Sequence, residues 1–151
     1  MQVSKLSGGI LILAAVTIAA PLSGAQAQGA PEPIVAAREA GYDLMSAGVG
    51  LMKAGVAAGT PVKGYSDLAE AIVKWGKTIP AMFPPGSGTG TKAKPEVWSD
   101  RAGFEKAAQN LVDKATILVA AAKADDVAAF KTAFGDTAAA CGACHKVYRE
   151  K

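Results

Sequence analysis

The sequence contains few residues that could bind a metal or form a disulfide: two cysteines and one histidine among 151 residues. All three lie in one segment, Cys141-Gly142-Ala143-Cys144-His145. A zinc site takes about four ligands, so this set is too small for one. A structural disulfide is disfavoured, because thiols three residues apart on a regular helix are poorly placed for the required Cβ–Cβ distance.

Strong charge and long apolar runs are also lacking. The net charge of +3 is mild and argues against a nucleic-acid partner. The apolar run over residues 9–20 is too short to span a membrane, so we expect no stable membrane insertion. With Lys5 before it and Ala25-Gln26-Ala27 after it, the run predicts a signal peptide over residues 1–27, the alternative being an uncleaved N-terminal anchor. Cleavage after Ala27 would export a single domain, residues 28–151.

Strand-like alternation is missing as well, and apolar residues recur at three and four, which is typical of an all-α protein. We expect a first helix over about residues 33–58 and a second from Ser66 to Pro80. A third begins at Ser99-Asp100, and Asp125 is expected to cap a fourth. The Pro- and Gly-rich connection over residues 82–97 is long enough to cross the bundle or serve a site. This pattern predicts an up-down-up-down antiparallel four-helix bundle.

The segment that is present, C-x-x-C-H, is the attachment sequence of c-type haem. On a helix, at about 100° per residue, Cys144 lies about 60° to one side of Cys141 and His145 about 40° to the other. The three side chains therefore leave one face, where a flat macrocycle could lie with its iron over the imidazole. A thioredoxin-like redox pair would need a βαβ setting, and no strand pattern precedes the segment.

The chain resembles the cytochrome c′ family, the class II c-type cytochromes, over nearly all of residues 28–151. The resemblance is carried by four segments: Arg38-Glu39-x-x-Tyr42-x-Leu44-Met45, Pro95-Glu96-Val97-Trp98-Ser99-Asp100, Ala133-Phe134-Gly135-Asp136, and Cys141-x-x-Cys144-His145-x-x-Tyr148-Arg149. It implies a periplasmic four-helix bundle that encloses haem c, covalently attached through Cys141 and Cys144. His145 would be the axial ligand of the iron.

The resemblance also implies a role for residues around the haem. Tyr42 would be the distal wall of a largely five-coordinate haem, Arg38 and Glu39 would lie near the propionates, and Arg149 would flank the proximal imidazole. Arg38 suits a propionate because guanidinium and carboxylate pair in a forked geometry. Some relatives are low-spin with a methionine as sixth ligand, so the alternative is a six-coordinate electron carrier ligated by Met45.

Two functions follow from the expected haem: one-electron transfer with an unknown redox partner, and binding of small diatomic gases such as NO and CO. An enzyme such as a peroxidase is not expected, because it would need a distal acid–base group and the sequence has no second histidine. Family members commonly form homodimers through the first two helices, and a homodimer is expected here.

Overall fold

A computed structural model describes residues 32–151, so the signal peptide expected at residues 1–27 lies outside the described residues. The helices are α1 (Pro33–Ala58), α2 (Ser66–Thr78), the single-turn α3 (Glu96–Ser99), α4 (Arg101–Lys123) and α5 (Val127–Tyr148). Two 3₁₀ segments, Lys63–Tyr65 and Ile79–Met82, flank α2. The four long helices form the expected four-helix bundle, with α3 as an additional turn inside the long connection.

The ends of α1 follow from its sequence. Pro33 begins the helix, where its missing N–H costs no hydrogen bond. Gly59 ends it with φ of 63°, a left-handed conformation that glycine adopts without strain. The N–H of Thr60 then donates to Gly55 O at 3.2 Å and closes the last turn. Both ends of the predicted first helix are confirmed.

The N-termini of α4 and α5 are capped by aspartates, one of them not the predicted residue. The predicted start at Ser99-Asp100 is confirmed within two residues: α4 begins at Arg101, and Asp100 caps it, accepting from Gly103 N at 3.2 Å. The prediction that Asp125 caps the last helix is wrong: Asp126 does so, accepting from Ala129 N at 2.9 Å. Asp125 instead accepts from Val62 N and Lys63 N at 2.7 and 2.8 Å, which ties the α4–α5 turn to the α1–α2 turn.

The core is centred on α4, which packs against α2 on one side and α5 on the other. Small residues allow close approach: a Cβ on Gly76 of α2 would lie 2.8 Å from Val112 Cγ2 of α4. The most buried large side chains are Phe130, Met52, Leu118, Val62 and Val97. By contrast, α1 meets α2 and α5 only lightly. None of the helices in residues 32–151 is both long and apolar enough to cross a membrane.

Candidate cofactor site

A cavity of about 470 Å³ lies where α1 and α5 face each other. Five of its lining residues come from α1, four from the connection after α2, two from α3 and α4, three from α5, and one, Arg149, directly follows α5. In chain order they are Arg38, Glu39, Tyr42, Asp43, Ser46, Phe83, Thr91, Lys92, Ala93, Val97, Phe104, Cys144, His145, Tyr148 and Arg149. The light packing of α1 on α5 is therefore what leaves room for a large group.

The α5 wall carries the C-x-x-C-H segment near the end of the helix. Both cysteines are half-buried free thiols, and burial raises the pKa of each. Cys144 and His145 line the cavity directly, and Cys141, one turn earlier, packs against the core. Burial, helped by Arg149, lowers the pKa of His145 and so favours the neutral imidazole, the form that ligates a metal.

Tyr42 provides the aromatic part of the α1 wall. Burial, with a further contribution from Cys144, raises the pKa of Tyr42 to about 12, so its phenol is neutral at physiological pH. Its ring meets that of Trp75 edge to face, with centroids 5.4 Å apart and planes at 85°. Tyr42 from α1 and Cys144 from α5 both line the cavity, so the phenol and this thiol belong to facing walls.

Arg38 ties α1 to the long connection. It is 2% exposed, and its Nη1 donates to Met82 O at 3.0 Å and to Ser87 Oγ at 3.2 Å. Its Nη2 donates to Ser87 O at 2.9 Å, and the guanidinium lies 4.0 Å from the Phe83 ring centroid. Burial lowers the pKa of Arg38, with Tyr42 and Glu39 acting in the opposite direction. The Nε–H and one Nη2–H take no partner within residues 32–151, so Arg38 can still serve a ligand in the cavity.

A short antiparallel pairing beside the cavity joins the connection after α2 to the end of α5. Ala93 bridges to Arg149, Lys94 N donates to Tyr148 O at 3.0 Å, and Glu150 N donates to Lys92 O at 2.8 Å. The Tyr148 hydroxyl donates to Asp100 Oδ2 at 2.8 Å, which ties the end of α5 to the start of α4.

Six of the eight residues singled out from the sequence line this cavity: Arg38, Glu39, Tyr42, Cys144, His145 and Arg149. Cys141 and Met45 lie outside its lining and are partly buried against the core. Sequence reasoning missed Phe83, Thr91 and Ala93, which form the wall supplied by the connection. The length of that connection was the only signal of a role at the site. Within residues 32–151 no group of three or more His, Cys, Asp or Glu side chains could hold a metal ion.

The residues present fit a c-type haem. Two free thiols and a neutral imidazole lie on or beside one wall of a large cavity, an aromatic side chain lies opposite, and a buried arginine retains unused donors. Fold and site together define a c-type haem protein built on a four-helix bundle.

Comparison with known proteins gives the family. The sequence profile of the family described as Cytochrome C′ matches residues 33–149, and the chain belongs to this family. It is 38% identical over 130 residues to cytochrome c′ of Alcaligenes xylosoxydans xylosoxydans, a match covering 80% of this chain and 96% of that protein. Members of the family bind haem c, and the two cysteines of this chain are consistent with covalent attachment.

Two solved structures of the Alcaligenes xylosoxidans protein are similar to this fold. One is a nitric oxide complex of a point mutant, with a TM-score of 0.73 and 35% identity over 82% of this chain and 98% of that one. The other is a carbon monoxide complex of a different point mutant, with the same TM-score, identity and coverage. Variants of this one relative therefore bind nitric oxide and carbon monoxide.

Proposed function

We propose that this chain is an exported, periplasmic haem protein with a largely five-coordinate haem that binds small diatomic gases, NO and CO, and transfers single electrons. The observation that carries the proposal is the composition of the cavity walls: Tyr42 and His145 line it, whereas Met45 does not. The N-terminal signal-peptide features of residues 1–27 support the location. The NO and CO complexes of relatives support the ligand class.

Each wall has a distinct task in this proposal. Haem, when bound, supplies an iron that changes oxidation state by one electron and has a position for a small ligand. Cys141 and Cys144 provide the thiols that tether it, and His145 provides the protein ligand on the α5 side. Arg38 offers its unused N–H groups to a propionate, near the exposed Glu39, and Arg149 flanks the imidazole.

Tyr42 controls what enters on the opposite side. Its bulk leaves room for small neutral molecules and excludes larger ones, and its neutral phenol adds no charge to the wall. The alternative function, a low-spin electron carrier ligated by Met45, is not favoured by any feature of the cavity, because Met45 would have to move into a wall that Tyr42 already occupies.

The absorption spectrum of the reduced protein, with and without carbon monoxide, tests this proposal. A high-spin spectrum that shifts on adding carbon monoxide is expected, whereas a sharp low-spin spectrum that carbon monoxide does not change would point to methionine ligation. In the Tyr42→Ala variant we expect carbon monoxide to bind faster, by at least about tenfold, because a bulky wall has been removed. Met45→Leu is the matched control on the same helix and should leave the rate unchanged.

The proposal includes a homodimer formed through α1. Six exposed small or apolar residues recur along this helix at spacings of three and four, the pattern of a helix–helix seam: Ala37, Ala40, Leu44, Ala47, Leu51 and Ala54. Leu44 is 76% exposed and Leu51 61% exposed, which is unusual for large side chains on one contiguous stripe. A second copy, with the same stripe, would cover both leucines.

Replacing Leu44 by Glu should convert the dimer to a monomer, because it places two like charges at the centre of a self-complementary seam. Light scattering after size-exclusion chromatography would measure the mass. Ile117, 57% exposed on α4, is the matched control, and Ile117→Glu should leave the mass unchanged. Wild-type protein that is monomeric at micromolar concentration would contradict the dimer without affecting the haem site.

A further inference from the structure

The contact between α1 and α2 beside the cavity depends on a glycine. The six-membered ring of Trp75 lies directly on the backbone of Gly41, and a Cβ there would lie 2.6 Å from Trp75 Cζ3 and 2.7 Å from Cζ2. No side chain other than hydrogen fits beneath the indole. Two turns further along the same helix, a Cβ on Gly48 would meet Leu68 Cδ2 at an ordinary 3.5 Å. The close approach at Gly41 is therefore not repeated at Gly48, although both glycines face α2.

The same indole holds the distal tyrosine. Tyr42 follows Gly41 in the chain, and its ring meets the Trp75 ring at 5.4 Å in the favourable edge-to-face geometry. Within residues 32–151 the Tyr42 hydroxyl forms no hydrogen bond, so no polar contact there orients the ring. The χ2 torsion of tyrosine is broad, and packing therefore decides how the ring is turned.

The polar atom of Trp75 adds an independent observation. Its Nε1–H is buried and has no hydrogen-bond partner within residues 32–151. Tryptophan supplies at this position the reach of its ring, which contacts both Gly41 and Tyr42.

We propose that Trp75 is a positioning residue: lying on Gly41, it fixes the orientation of the Tyr42 ring and thereby sets how fast small neutral ligands such as CO reach the distal side of the haem. This inference rests on the proposed function, because it acts through Tyr42 as the distal wall. It assigns to α2 a part in gas access, although α2 contributes no residue to the cavity lining.

The test uses the haem-loaded protein and two readouts: the CO association rate after flash photolysis, and the C–O stretching frequency of the bound gas. Trp75→Phe should raise the rate by about two- to tenfold, the factor that corresponds to loss of one aromatic pair, and should shift the stretch. Gly41→Ala should change both by displacing the indole. Gly48→Ala is the matched control on the same helix and should change neither readout, because a Cβ at Gly48 would meet Leu68 Cδ2 at an ordinary 3.5 Å.

A double variant separates positioning from a general loss of structure. If Trp75 acts through Tyr42, Trp75→Phe should have no further effect on either readout once Tyr42 has been replaced by Ala. The inference is overturned if Trp75→Phe leaves both readouts unchanged while Tyr42→Ala changes them, and the proposed function then still stands. If Tyr42→Ala itself changes neither readout, the distal role of Tyr42 fails and this inference fails with it.

Discussion

The two sides of the bundle are built differently. Around α4, side chains from α2, α4 and α5 fill the space between helices, and eight residues of α4 are buried. On the other side α1, although longer, buries only Val35, Arg38, Met52 and Gly55. One side is a packed core, and the other is a cavity of about 470 Å³ spanned by a few specific contacts.

This difference separates what holds the fold from what serves the site. The core around α4 needs no prosthetic group, because its layers are already interdigitated, as with Gly76 against Val112. α1 is held instead by the Arg38 hydrogen bonds, by the indole over Gly41 and by Met52. We therefore expect bound haem to stabilise the α1 side of the molecule more than the α4 side.

The largest effect that tests this contrast is loss of the haem tether. In the double variant Cys141→Ser, Cys144→Ser, haem should become extractable by acidified solvent. The emptied cavity should then let the amides of α1 exchange with solvent at least about tenfold faster, while those of α4 change little, because local opening follows local packing. Hydrogen exchange followed by mass spectrometry measures both helices in one experiment.

Ala143→Ser is the control for this variant, since Ala143 is exposed within the same motif and carries no thiol. It should keep the haem and the wild-type exchange pattern. Equal acceleration of exchange in α1 and α4 in the double variant would contradict the contrast and favour a core that depends throughout on haem.

The next effect concerns the core itself. Leu118 is fully buried, and Leu118→Ala should lower the free energy of unfolding by about 3–5 kcal/mol, because it leaves a cavity in a close-packed region. Its neighbour Ile117 is 57% exposed, and Ile117→Ala should cost less than about 0.5 kcal/mol. Urea unfolding measures both. The haem spectrum in the absence of urea should stay unchanged in each; a changed spectrum in Leu118→Ala would show that the two sides are coupled.

Local sequence patterns predicted the parts of this molecule that depend on neighbours in the chain. The bounds of α1 follow from Pro33 and Gly59, and the cap of α4 from Asp100. The last cap was misplaced because Asp125 and Asp126 are equally good caps, and only the distant amides of Val62 and Lys63 decide between them.

The same limit applies to the site. The C-x-x-C-H spacing pointed to one face of α5, and the family resemblance pointed to Arg38 and Tyr42 on α1. What could not be predicted is tertiary: the connection forming a wall of the cavity, the hydrogen bonds from Arg38 to that connection, and the indole of Trp75 over Gly41. None of these contacts joins residues at helical spacing, so the periodicity of apolar residues in the sequence cannot predict them.

The smallest effect lies where the two sides meet, at the hydrogen bond from Tyr148 to Asp100. Burial and this hydrogen bond raise the pKa of Tyr148 from 10.0 to about 12. In the folded chain Tyr148 thus keeps its proton above pH 10, whereas in the unfolded chain it releases it. The contribution of Tyr148 to stability is therefore complete below pH 10 and is lost as the pH rises toward 12.

Tyr148→Phe should lower the free energy of unfolding by about 1–2 kcal/mol at neutral pH and weaken its decline at alkaline pH. Urea unfolding at several pH values measures this, with Tyr65→Phe as the control, because Tyr65 stacks on Phe130 and does not bond to Asp100. If the free energy of unfolding falls equally steeply with rising pH in Tyr148→Phe and in wild type, then groups other than Tyr148 cause the fall. The contact with Asp100 would then have no role in joining α5 to α4.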